Sequence, residues 1–318
     1  MQACHAAATV APILSIWLLG DGKPGHENQA LGLAEALARL RPCAIQRISL
    51  AEKRGCFARL RAILRAGADL PKPDLIVAAG HATHPALLWL TRKHRVPGIV
   101  LMRPSLPACW FDLCIAPVHD FKQAPSESNI LTTIGALNRV VGNDFAPRRG
   151  GLMLVGGPSG THDWDATALL GSLASISGES SGGPWKLTDS RRTPPGFLAQ
   201  VGDRLPGVAI FPHGETPRDW LPACLAEAAE VWVTEDSVSM VYEALSSGAR
   251  VGLLPVPRKK QDTRVLRGLG RLVDDGFVTP YERWYQTRTL AAPPQPLREA
   301  ERCAQAVLKK FFPSRQDC

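Results

Sequence analysis

The stretch "GDGKPGHENQ", residues 20 to 29, puts an acid, a lysine and a histidine into a glycine-rich turn between an apolar strand and a helix pattern. Gly20, Gly22 and Gly25 fit G-x-G-x-x-G. Such a turn directs backbone N–H groups and a helix N-terminus at an anion. Pro24 suits the first helical position, where its missing N–H would be unpaired anyway. Asp21, Lys23, His26, Glu27 and Asn28 add polar side chains at the strand's carboxyl end. A dinucleotide fingerprint also requires an acid closing the second strand. That strand reads "AIQRISL", with Ser49 in the acid's place and Glu52 late. The loop therefore reads as a polar functional wall more readily than as a dinucleotide site.

Three later stretches carry anion- or sugar-binding chemistry. "LVGGPSGTHDW" (154–164) repeats the strand-to-glycine-turn pattern, and Gly157 and Ser159 lie where a turn would wrap a phosphate. "VWVTEDSVSMVYEALSSGARVGLLPVP" (231–257) is a strand, a helix capped by Asp236 or Ser237, and a second strand after Gly248. Ser239 and Glu243 are four residues apart and share a helix face. Glu243 can accept both hydroxyls of a ribose, and Ser237 and Ser239 can donate to phosphate oxygens. The competing reading of Glu243 is a solvated acid on an amphipathic helix. "TDSRRTP" (188–194) places Arg191 and Arg192 in a loop, where adjacent guanidiniums neutralise a diphosphate or merely meet solvent. His81 and His84 follow the third strand and His119 with Asp120 the fifth, and they read as polar lining. No third ligand accompanies the His81–His84 spacing, so no metal is expected.

Apolar strands alternate with amphipathic helices in two series. The first has strands Ile13–Leu19, Ala44–Ile48, Leu75–Ala79, Gly98–Met102 and Leu113–Ala116, with helices at Asn28–Leu40, Phe57–Ala66 and Pro85–Lys93. The second has strands Leu152–Val155, Val208–Phe211, Val231–Thr234 and Val251–Leu254, with helices near Asp165–Ile176, Leu221–Ala229 and Ser237–Ser246. Short buried strands spaced by helices imply parallel pairing. The expected architecture is α/β: two Rossmann-like doubly wound domains facing a cleft. The N-terminal domain is placed at 1–145 and the C-terminal domain at 146–290. A closing helix and tail follow at 291–318, and "VVGNDFAPRRGG" is the linker.

The 318 residues, 45% hydrophobic and 21% charged, suffice for two cores. The net charge of +8 fits a nucleotide or an anionic membrane surface; no nucleic-acid motif accompanies it. Eight scattered Cys without C-x-x-C spacing read as free thiols in a reducing compartment. No apolar run reaches the ~18 residues of a membrane span. A cytoplasmic protein is expected, peripheral on the inner face of the membrane if it touches one. The candidate membrane contact is the basic amphipathic stretch 52–67, with Arg54, Arg59, Arg61 and Arg65 around an apolar face.

"GDGKPGHENQALGL", "FDLCIAPVHD", "NILTTIGALNRV", "LVGGPSGTHDW", "SRRTP" and "TEDSVSMVYEALSSGARV" occur in this order. Together they resemble the mitochondrial-fission ELM family over roughly residues 13–285. That family in turn resembles the GT-B glycosyltransferases, most closely the type that adds N-acetylglucosamine to a lipid-linked peptidoglycan precursor. The resemblance implies an N-terminal acceptor domain and a C-terminal domain for a UDP-sugar-like donor. It makes the loop of Gly22, Lys23, Gly25 and Asn28, with His81 and His119, the acceptor side. Gly157, Ser159, Arg191, Arg192, Ser237, Ser239 and Glu243 become the donor side. His26, or Asp21 as second choice, would be the base of a metal-independent transfer needing no cofactor beyond the nucleotide-sugar substrate. The alternatives are a non-catalytic membrane-surface adaptor, as the plant members' link to mitochondrial division implies, and a nucleotide-sugar epimerase.

Overall fold

The computed structural model describes residues 13–50, 65, 67, 69–142, 147–178, 184–217, 219–260 and 263–313. The chain divides into two compact units, residues 1–133 with 300–318, and residues 134–299. The division falls at Thr133/Ile134 rather than at 145/146, for a local packing reason. Residues 134–138 strap onto a helix of the second unit: a Cβ on Gly135 would lie 2.1 Å from the Tyr242 ring. Tyr242 Oη donates to the Ile134 carbonyl at 3.3 Å, and Asn138 Nδ2 donates to Ser246 Oγ at 2.9 Å.

Among the described residues, unit 1 holds six parallel strands: β1 (Leu14–Gly20), β2 (Cys43–Ser49), β3 (Leu75–Ala79), β4 (Gly98–Leu101), β5 (Leu113–Pro117) and β6 (Ile130–Thr133). Their order is β2-β1-β3-β4-β5-β6. β3, β4 and β5 are buried at every residue, as continuous apolar runs in a sheet covered on both faces require. Helix α1 (Pro24–Leu40) starts earlier than the apolar periodicity alone marks, because Pro24 occupies its first turn. Its buried face is Ala30, Leu31, Leu33, Ala34 and Leu37. Helix α2 spans His84–His94. The basic stretch 52–67 lies outside the described residues except Arg65 and Gly67.

The described residues of unit 2 also form six parallel strands: β7 (Gly151–Leu154), β8 (Trp185–Thr188), β9 (Val208–Phe211), β10 (Glu230–Thr234), β11 (Arg250–Leu254) and β12 (Val278–Pro280). Their order is β12-β11-β10-β7-β8-β9. Counted within the unit, this is the 3-2-1-4-5-6 order of the dinucleotide-binding fold. Its helices are α3 (Ala166–Gly178), α4 (Phe197–Arg204), α5 (Trp220–Glu227), α6 (Val238–Ser247), α7 (Arg264–Asp274) and α8 (Tyr281–Thr287). Gly248, at φ 85°, ends α6 in the left-handed conformation that a side chain disfavours. Arg148, inside the expected linker, donates to the carbonyls of Leu225 and Ala228 at 3.1 Å each and to that of Ser247. It thereby satisfies orphan carbonyls at the C-termini of α5 and α6. The basic run 258–271 contributes most of α7.

The closing helix α9 (Glu299–Phe311) belongs to unit 1 from Ala300 onward. Arg302 Nη2 donates to the Thr132 carbonyl at 2.6 Å, and Arg41 lies over the Phe312 ring at 5.8 Å. Among the described residues no helix is long and apolar enough to cross a membrane.

Candidate functional site

In open α/β sheets the ligand crevice opens where the strand order reverses. In unit 1 that point lies between β1 and β3. β1 runs into the glycine turn, where Gly22 takes φ 80°. Asp21 Oδ1 then accepts the Lys23 N–H at 3.2 Å, tying the turn down just before α1 begins. Asp21 Oδ2 lies 2.9 Å from His26 Nδ1, and the two side chains are 5% and 17% exposed. A carboxylate at Nδ1 holds the proton there and leaves Nε2 as the basic nitrogen. β3 leads into Gly80, with φ 87° and ψ 149°, a region essentially reserved for glycine. A Cβ at Gly80 would lie 2.3 Å from His26 Nδ1 and 2.9 Å from Asp21 Oδ2. The bare glycine is what lets the pair sit at the mouth of β3.

His81 follows Gly80 in a single 3-10 turn and is exposed beside this pair. His119 sits in the 3-10 turn after β5, three strand intervals from β1, or about 14 Å. His81 thus directly follows the glycine that packs on the Asp21–His26 pair, whereas His119 follows a strand three places away in the sheet. Lys23 and Gly25 are exposed and Asn28 half-buried on the first turns of α1. His84 is buried against Phe111, its Nδ1 3.3 Å from Ser105 Oγ, and burial lowers its pKa, helped by nearby His81.

In unit 2 the reversal lies between β7 and β10. The turn after β7 is internally bonded. The Gly156 N–H donates to Thr234 Oγ1 at 2.8 Å and the Gly157 N–H to Asp236 Oδ2 at 2.9 Å. The Ser159 N–H donates to the His162 carbonyl, and Ser159 Oγ accepts the N–H groups of Thr161 and His162 at 3.2 and 3.1 Å. Arg192 pairs with Asp236 Oδ2 at 2.8 Å and donates to the Gly157 carbonyl at 2.9 Å. Glu235 Oε2 receives Arg258 Nε and Nη2 at 3.0 and 2.8 Å. Burial raises the Glu235 pKa against the opposing pull of Arg258. His162 is fully buried, and desolvation lowers its pKa despite the Asp236 charge nearby.

This crevice gathers Gly157, Ser159, Arg192 and Ser237 from the expected donor set. Ser237 is the N-cap of α6 without a side-chain cap bond; Ser239 is exposed on the first turn, and Glu243 is half-buried one turn further. Arg191 is exposed at the tip of a turn closed by Ser190 and Thr193, and does not join the Arg192–Asp236 pair. Sequence reasoning did not single out the Asp236–Arg192 and Glu235–Arg258 pairs. The available signal was two adjacent acids at a strand end beside arginine-rich loops. It also passed over Asp189 and His213, which lie just after β8 and β9 and meet at 3.0 Å.

An uncharacterised protein of Rickettsia prowazekii is 23% identical, over 74% of this chain and 81% of its own length. Among solved structures, Acinetobacter baumannii MurG has a TM-score of 0.52 and 16% identity, over 94% of this chain and 99% of that one. The S. aureus MnaA–UDP co-structure has a TM-score of 0.55 and 13% identity, over 95% and 98%. UDP-GlcNAc 2-epimerase from Neisseria meningitidis, bound to UDP-GlcNAc, has a TM-score of 0.52 and 12% identity, over 95% and 100%. At these identities the likeness is one of fold: two Rossmann-like units in one chain, as in GT-B proteins. The family model described as Mitochondrial fission ELM1 matches residues 24–311, most of the chain. The chain therefore belongs to the mitochondrial-fission ELM1 family.

Proposed function

We propose that this protein transfers a glycosyl group from a nucleotide-diphosphate sugar, with His26 as the base that deprotonates the acceptor hydroxyl. The observation that carries the reading is the Asp21–His26 pair, held at 2.9 Å at the strand-order reversal of unit 1. Asp21 keeps the Nδ1 proton in place, so His26 Nε2 takes the acceptor's proton. Unit 2 supplies the nucleotide side, with Glu243 toward the ribose hydroxyls and the first turn of α6 toward the diphosphate. Arginine side chains and helix N–H groups then stabilise the leaving diphosphate without a metal. Nucleotide-sugar ligands in the fold neighbours support this choice of donor class.

The test is turnover of radiolabelled UDP- and GDP-sugars by wild type, His26→Ala and Glu243→Ala. His26→Ala should lower kcat about 10²–10⁴-fold with donor affinity intact, and Glu243→Ala should weaken donor binding. Neither binding nor hydrolysis by wild type, with Glu243→Ala inert, defeats the proposal. A second reading, a non-catalytic adaptor, is favoured by the internally bonded turn of unit 2. It predicts cellular function intact in His26→Ala and salt-sensitive binding to anionic liposomes.

A further inference from the structure

The reversal point between β7 and β10 is where an open α/β sheet receives an anion, on the N–H groups of the turn after its first strand. In this chain those donors are already engaged. One carboxylate oxygen, Asp236 Oδ2, takes both the Gly157 N–H at 2.9 Å and Arg192 Nη2 at 2.8 Å. A backbone N–H and a guanidinium converging on one oxygen is the recognition that a phosphate oxygen would receive. Two further observations separate Asp236 from an ordinary helix cap. The N-cap position of α6 belongs to Ser237. Asp236 Oδ1 has no hydrogen-bond partner among the described residues, although the side chain is only 1% exposed. A buried carboxylate placed for stability alone would have both oxygens satisfied.

The glycines of the turn serve this internal arrangement. A Cβ on Gly156 would lie 2.2 Å from Asp236 Oδ2, and one on Gly157 would lie 2.1 Å from the Arg192 carbonyl oxygen. They make room for the carboxylate and for the arginine backbone.

We propose that Asp236 is a built-in occupant of the anion place in unit 2, which a phosphate-bearing ligand must displace from Arg192 and the Gly157 N–H. The proposal rests on reading unit 2 as the nucleotide side and adds how that side is regulated. Arg192 is 39% exposed, so an arriving phosphate can reach it from solvent. The phosphate then meets the Asp236 charge at close range, where like charges repel strongly. Affinity is set by this exchange, and removing the negative charge at 236 favours the ligand.

The experiment titrates UDP, and uridine as the phosphate-free control, into wild type, Asp236→Asn and Asp236→Ser. Calorimetry reads binding at fixed ionic strength, and circular dichroism verifies folding. Both variants should bind UDP at least about tenfold tighter than wild type, with uridine binding unchanged. Asp236→Ser decides if Asp236→Asn does not fold. UDP bound by the folded variants no more tightly than by wild type overturns the proposal and leaves the nucleotide reading standing. An equal gain for uridine also overturns it, because the effect is then not competition between anions. UDP bound by none of the three folded proteins overturns both.

Discussion

Gly80→Ala tests the geometry of unit 1 at its most constrained point. The added Cβ would sit 2.3 Å from His26 Nδ1, 2.6 Å from His26 Cε1 and 2.9 Å from Asp21 Oδ2. All three are closer than a methyl group can come, so the imidazole and the carboxylate must part. The backbone adds its own cost, since φ 87° and ψ 149° suit glycine alone, worth about 1–3 kcal/mol. Loss of the Asp21–His26 hydrogen bond adds about 1.5–3 kcal/mol where a charged group is involved. The sum is about 2.5–6 kcal/mol, a fall in Tm of roughly 5–24 °C at about 2–4 °C per kcal/mol for a domain of this size. The tautomer is the sharper readout. Nitrogen-15 NMR of His26 should show the proton on Nδ1 in wild type and a tautomer mixture in Gly80→Ala. Gly25→Ala is the control, since nothing lies within 4 Å of its Cβ and the residue is in the first turn of α1. It should shift stability by less than about 1 kcal/mol. If Gly80→Ala keeps both the wild-type tautomer and a Tm within that control range, the close packing of Gly80 on the pair is wrong.

Gly157→Ala would drive its Cβ to 2.1 Å from the Arg192 carbonyl oxygen and 2.7 Å from the Thr193 nitrogen, both backbone atoms. Urea denaturation should show it less stable by about 2–4 kcal/mol, whereas Gly160→Ala, with open space around it, should change little. Arg148→Ala leaves the carbonyls of Leu225, Ala228 and Ser247 without their donor and should cost about 2–4 kcal/mol by the same assay. Burial lowers the pKa of His162 and His84, so the unfolded chain binds more protons than the folded one below pH 6.5. Stability is therefore full above pH 6.5 and falls as pH drops from there toward the lowered folded values. His162→Asn should flatten that acid limb in thermal melts from pH 7.5 to about 5.5, and an unchanged slope would show that His162 contributes nothing to it.

The parallel cores were legible because apolar runs such as "LIVAA" and "LCIAP" leave no solvent face, and every residue of both is buried. The Asp21–His26 turn was legible for the same kind of local reason: strand, glycines and Pro24 fix its path over six residues. The domain boundary was not. Its position depends on Gly135 and Asn138 packing on Tyr242 and Ser246, more than a hundred residues away in the chain. The short elements β6, β12, α4 and α8 lack the length that makes periodicity visible. The engaged state of the second glycine turn was also hidden. Its letters advertise open N–H groups, and only the fold shows that Thr234, Asp236 and the turn's own Ser159 and His162 have taken them.

The two units place a carboxylate at the same topological point and use it in opposite senses. In unit 1, Asp21 pairs with His26, and the pair leaves the second ring nitrogen basic, so the acid prepares a reactive group. In unit 2, Asp236 pairs with Arg192, and the pair neutralises the cation that would receive a phosphate, so the acid withholds one. The remaining charges of that crevice do not reverse this. Arg258 is held by Glu235, and Lys259 lies 3.8 Å from Asp163. Under the proposed reading, the proton-transfer group at His26 stands ready while the anion place of unit 2 is held by Asp236. A chain in which that exchange never occurs keeps the fold and serves as a binding surface. The Asp236→Asn titration tests the exchange, and turnover of labelled nucleotide-sugars by wild type separates the enzyme from the binding surface.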